Sequence, residues 1–227
     1  MLHQRVRILG FVMGLMGLLF MIAGIYGLTQ VNNGYDALNS YSAAQNVTLN
    51  YNEDGELLDR GTTEGAEPIL DMLENDWGWS IKQAELDPDD PLVNTPTEYM
   101  YQMAVISYHV MHGTQTVVLE DDVEYEGETF KAGTYDFDID GRYWTDFDRM
   151  HPLQGPARGQ AWTGTAHGLV ATLGVGAVTA NTLLLGLGFS ALVFFLGLGI
   201  IVLGFGLVWV SNAVESEVQH AVEVARG

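Results

Sequence analysis

Two glycine-rich apolar segments, residues 8–28 and roughly 183–210, enclose a stretch that carries almost all of this chain's charge. The first segment, 21 residues long, would extend about 31 Å as an α-helix, matching a hydrocarbon core of roughly 30 Å. Arg5 and Arg7 precede it, and positive residues beside a span favour the cytoplasmic side. The competing reading is a secretory signal, whose apolar core is normally about 7–15 residues long and ends at a small-x-small site. Ile25-Tyr26-Gly27-Leu28-Thr29-Gln30-Val31 offers no such site, so an uncleaved anchor is expected.

The second apolar region begins near Ala166 and ends at Val210. Two short spans with a turn at Ala180-Asn181-Thr182 would fit its length, but that turn holds neither charge nor proline. His167, Thr172, Thr179 and Asn181 would be costly against lipid. The sequence therefore predicts one span preceded by an interfacial helix. The expected organisation is a cytoplasmic N-terminus and first span over 1–29, and an extracytoplasmic α+β domain with an antiparallel sheet over 30–160. A membrane-proximal helix over 161–182, a second span over 183–211 and a cytoplasmic tail over 212–227 follow. Small residues recur in both spans: Gly10 and Gly14 in GxxxG spacing, Gly17, Gly24 and Gly27, then Gly186, Ser190, Gly197, Gly199, Gly204 and Gly206. They let helix backbones approach closely within a bilayer, inside one chain or between subunits.

Between residues 30 and 160 there are 26 Asp/Glu against 6 Lys/Arg, and the whole chain carries −20. Such a surface repels nucleic acid and excludes it as a partner. It suits a concentrated-salt milieu, where counter-ions screen self-repulsion, or attraction of cations or a basic partner. With no cysteine in the chain, an external domain must hold itself by packing alone.

Within the domain, alternation over 46–51 and the Asp54-Gly55 turn predict a hairpin returning through Glu56-Leu57-Leu58-Asp59. Asn46-Val47-Thr48 is also a glycosylation sequon. A helix over 63–77 should bury Ile69, Leu70, Met72 and Leu73. Thr95-Pro96-Thr97-Glu98 is a capping box with proline at the first helical position, so a helix should run from there to His112 and stop at Gly113. Strands are expected over 114–119 and 134–139, with a hairpin over 123–133 between them.

Two constellations could hold metal. Asp136, Asp138, Asp140 and Gly141 match the first half of a calcium loop, although position twelve is Phe147 rather than glutamate. The same alternation with Phe137 and Ile139 describes a half-buried strand. His109 and His112, three apart, share a helix face as two metal ligands can, or serve the helix C-terminus. No GxSxG, P-loop or GxGxxG is present. The region from Trp144 to Trp162, with Arg149, His151 and Arg158, is suited to docking on headgroups or on a neighbouring subunit.

The N-terminal anchor, the loop Glu85-Leu86-Asp87-Pro88-Asp89-Asp90-Pro91 and the later apolar helix make the chain resemble a group of small actinobacterial membrane proteins with an ELDxDDP-like loop. Some of these carry an aromatic-ring-opening dioxygenase label. The resemblance implies a membrane protein and transfers no site residues. The expected function is a non-enzymatic accessory or structural subunit in a bilayer, bound to a membrane protein partner or to copies of itself. The alternatives are an extracytoplasmic cation sensor and a membrane-associated metal enzyme. No cofactor is expected unless calcium occupies the aspartate run.

Overall fold

A computed structural model describes residues 2–226 and divides the chain into two compact units, residues 1–37 with 181–227 and residues 38–180. Two long helices contribute to both: α1, Leu2–Gln45, and α5, Gly164–Val224. Helix α5 is unbroken, so neither a turn at Ala180–Thr182 nor a separate helix over 161–182 forms. Both helices are long and apolar enough to cross a membrane, and only 17% and 11% of their most apolar windows are buried.

In the first unit the two helices pack antiparallel through small residues spaced by seven. Gly10, Gly17, Gly24 and Val31 are buried on α1, and Ser190, Gly197, Gly204 and Ser211 on α5. A Cβ on Gly17 would stand 2.6 Å from the Gly197 carbonyl oxygen, and one on Gly10 2.6 Å from that of Gly204. Backbone therefore lies on backbone. A Cβ on Gly14 would meet nothing within 4 Å, so the GxxxG pair divides, and its first member joins the seven-residue row instead. The large residues point away from this seam: Phe11 is 61% exposed, Phe205 67% and Leu185 76%. Arg7 and His3 reach Glu215 at 3.4 and 3.9 Å.

The second unit opens with the last turns of α1. Asn46, at φ +50°, terminates that helix in the left-handed conformation and donates its N–H to the Ser42 carbonyl. The sequon asparagine is thus a helix stop, and the strand expected from residue 46 shortens to β1, Asn50–Tyr51, paired with β2, Leu57–Leu58. Asn52 Oδ1 accepts from the N–H groups of Asp54 and Glu56 and closes the turn between them. Helix α2, Thr63–Asp71, starts on the Thr62 side chain and relaxes into a π-turn over Met72–Asp76, downstream of Pro68.

Helix α3, Pro96–Met111, carries the expected capping box. Strands β3, Thr114–Leu119, and β6, Gly133–Asp138, pair antiparallel from Thr114↔Asp138 to Leu119↔Gly133. Between them lies a hairpin of β4, Val123–Tyr125, and β5, Glu128–Phe130. Its Glu126-Gly127 turn has positive φ at both residues, the conformation whose twist suits a two-residue hairpin. The antiparallel expectation holds, as three two-stranded ladders rather than one sheet. Helix α4, Gln154–Ala161, precedes α5. Ile69, Leu73, Tyr101, Ala104, Val117 and Ile139 form the core. Each large side chain buried there gives about 1.5–3 kcal/mol, which a domain without disulfides depends on.

Candidate functional site

Most residues of the two predicted metal constellations are engaged by partners within the protein. Asp136 and Asp138 lie on β6 and accept hydrogen bonds from Thr116 Oγ1 at 3.1 Å and Thr114 Oγ1 at 2.6 Å on β3. Asp140 sits beyond the strand at φ +52°, where the following Gly141 N–H donates to the Met111 carbonyl. Ile139 between them is fully buried, and Phe147, at the twelfth position, is 6% exposed. The run is thus strand plus turn, closing over the C-terminal end of α3. His109 Nε2 lies 2.9 Å from Asp59 Oδ1, whereas His112 stacks on Tyr108 and places Nδ1 2.9 Å from that residue's carbonyl. Among the described residues no three His, Asp or Glu side chains gather to hold a metal ion.

Asp59 is the partner that helix spacing could not supply, since it lies just past β2, fifty residues before His109. The pair is largely buried, with side-chain exposures of 10% and 25%. Burial, with the neighbouring Asp59 charge, pushes the Tyr101 hydroxyl far above its ordinary value. Tyr51 is pushed up to about 12, first by burial and then by Glu98 and Asp87.

The ELDPDDP loop proves to be the mount for α3. Glu85 accepts from the Thr97 N–H at 2.9 Å and meets Lys82 at 3.0 Å. Burial opposes its ionisation, but these bonds prevail and hold the carboxyl below its ordinary value. Glu98 accepts from the N–H groups of Asn94 and Thr95, yet it is 2% exposed, and burial leaves its carboxyl raised. Two acids at the positive end of one helix are favourably placed, and Glu85 of the loop thereby has a structural role.

The Trp144–Trp162 region folds inward rather than presenting free rings. Trp162 is buried and donates Nε1–H to the Arg142 carbonyl, while the Arg158 guanidinium lies 3.7 Å above the Trp144 ring. At the hairpin edge the Tyr125 hydroxyl donates to Asp148, which raises the tyrosine to about 12 and lowers the carboxyl.

One feature of the domain was not legible in the sequence: a cavity of about 270 Å³. Its walls come from the end of α1, the chain at Val47 and Val93, the outer face of α3 and the first turns of α5. Tyr99 and Ser42 form a buried hydroxyl pair at 2.7 Å on its floor. Val93 and Leu173 are buried beside them, and Tyr41 and Leu169, 45% and 47% exposed, stand at the mouth. None of the lining residues is charged. Helix α5 approaches α3 closely here: a Cβ on Gly176 would fall 2.5 Å from Tyr99 Cδ1.

No protein-family model matches the chain, and neither a curated protein nor a solved structure is significantly similar to it.

Proposed function

We propose that this chain is an integral membrane protein that crosses the bilayer twice, with both termini in the cytoplasm and the acidic domain outside. Its role is that of a non-enzymatic accessory or structural subunit whose external domain engages a partner protein. The observation that carries the membrane reading is the inverted packing of the first unit. Glycine and serine form the seam, and Phe11, Leu185 and Phe205 face outward. In water that arrangement would leave an apolar patch far larger than monomeric soluble proteins tolerate. In lipid it is the expected one, because helices there associate by close packing rather than by hiding apolar side chains. Arg5 and Arg7 support the orientation.

Within the domain Lys82–Glu85 and Lys131–Asp122 pair a lysine with a carboxylate. Most of the domain's acids are exposed, which supports a surface adapted to salt or offered to a basic partner. The test is extraction from native membranes followed by size-exclusion chromatography in mild detergent and mass spectrometry. One partner at fixed stoichiometry is the expected result. Release from membranes by alkaline carbonate would overturn the membrane reading, and a lone monomer would overturn the subunit reading.

A further inference from the structure

We propose that the cavity between the ends of α1 and α5 and the face of α3 binds a small uncharged ring compound bearing a carbonyl group. Size sets the scale. A cavity of about 150 Å³ accepts benzene, so one of 270 Å³ holds a molecule of roughly eleven heavy atoms.

The lining sets the charge. In a chain of −20, this cavity is walled without a single ionisable acid or base other than the phenols of Tyr41 and Tyr99. A carboxylate or ammonium entering it would shed its hydration and find no counter-ion. The hydroxyl pair sets the functional group. Whichever of Ser42 and Tyr99 donates within their 2.7 Å bond, the other keeps an unused O–H, and both residues are buried. Burial raises the Tyr99 phenol above its ordinary value, so it stays a neutral donor. A spare buried donor asks for an acceptor, and a ligand carbonyl is one. Gln45 and Gln102 add amides at the rim, and neither forms a hydrogen bond within the protein among the described residues. A pure hydrocarbon would fill the volume but leave the spare buried hydroxyl unpaired.

The test uses the full-length protein in nanodiscs, with 1-tetralone as probe, tetralin as its counterpart without oxygen and 1-naphthoate as the charged counterpart. Thermal midpoints are followed against probe concentration. The proposal expects saturable stabilisation by 1-tetralone and half-saturation at about three- to tenfold lower concentration than for tetralin, the effect of one neutral hydrogen bond. It expects no saturable response to 1-naphthoate. Ser42→Ala combined with Tyr99→Phe, which removes both hydroxyls, should abolish the preference for the ketone. Ile106→Trp plugs the cavity and should abolish saturation. If it perturbs folding, Leu169→Trp, at the exposed mouth, takes its place. Shifts that rise without saturating and are equal in wild type and plugged variants would show partition into lipid alone and overturn the proposal. So would equal half-saturation by tetralone and tetralin. The proposal stands apart from the membrane reading: a protein recovered soluble would be titrated in plain buffer with the same criteria.

Discussion

Substituting Gly17 by alanine tests the seam of the helix pair where its geometry is tightest. The new methyl carbon would lie 2.6 Å from the Gly197 carbonyl oxygen and 2.7 Å from Ile201 Cγ1. Ordinary van der Waals contact begins near 3.4 Å, so the backbones must part by about 0.8 Å, and the nearest obstacle is a carbonyl that cannot rotate away. A gap of that size forfeits a quarter to a half of each dispersion well. Taking about 50 atom pairs over the adjoining turns, at about 0.15 kcal/mol each with a third lost, the cost is about 2–3 kcal/mol. Alanine's better helix propensity returns up to about 1 kcal/mol, leaving a net loss of about 1–2 kcal/mol.

Gly14→Ala is the matched control. It makes the same chemical change on the same helix, three residues nearer the N-terminus, but into open space. It should be neutral or stabilising. The assay is unfolding of the purified protein in mixed micelles with increasing SDS mole fraction, followed by circular dichroism and by tryptophan fluorescence. Gly17→Ala should lower the midpoint while Gly14→Ala does not. Equal behaviour of the two variants would refute the seven-residue seam, whichever direction both moved.

Three further outcomes follow from the domain. His109→Ala strips Asp59, whose side chain is only 10% exposed, of its partner and should cost about 2–4 kcal/mol in chemical denaturation; Asp59→Asn combined with His109→Gln should recover much of it. Thr95→Ala removes the N-cap acceptor of α3, and a loss of about 1 kcal/mol, seen as a lower thermal midpoint of the folded domain signal, is expected. For pH, the raised Glu98 carboxyl favours its protonated form when folded, so its contribution is full below its ordinary value of 4.5 and is lost as pH rises through the higher folded value. Glu85 is lowered, so its contribution is present above 4.5 and lost as pH falls through its folded value. Glu98→Gln should therefore flatten the decline on the alkaline side of 4.5, and Glu85→Gln the decline on its acid side, in midpoints measured from pH 3 to 7 (an interval of roughly two units on either side of a carboxyl titration).

What sequence could and could not convey divides by range. The α3 capping box, the β3 and β6 segments and the hairpin between them are written in neighbouring residues, since turn chemistry, caps and alternation act over a few positions. The ends of α1 and α5 were not: the polar residues 30–44 are compatible with a stalk or a short helix, and the structure continues α1 through them to Gln45, ending where Asn46 adopts φ +50°. Asp59 beside His109, the Ser42–Tyr99 pair and the cavity they floor join residues fifty or more apart. No local spacing encodes such encounters. The aspartate run shows the converse, for its motif is local and real, but Thr114 and Thr116 across the ladder already engage two of its carboxylates.

The small-residue rows of the two long helices were visible from the start, and what decides their meaning is arithmetic. A four-residue step, as between Gly10 and Gly14, marks the right-handed crossing of a GxxxG pair. A seven-residue step keeps a row on one face only if the helix is taken at 3.5 residues per turn, which is the repeat of a left-handed supercoil. Gly10, Gly17 and Gly24 continue through Val31 at that step, and Ser190, Gly197, Gly204 and Ser211 repeat it on α5; Gly10 meets Gly204 and Gly17 meets Gly197 backbone to backbone, while a Cβ on Gly14 would point into open space. A motif with one instance competes poorly against a repeat with four instances on each helix. The same reasoning fixes which glycines are free: Gly188, Gly199 and Gly206 lie off the row, meet nothing within 4 Å, and should accept alanine without separating the helices.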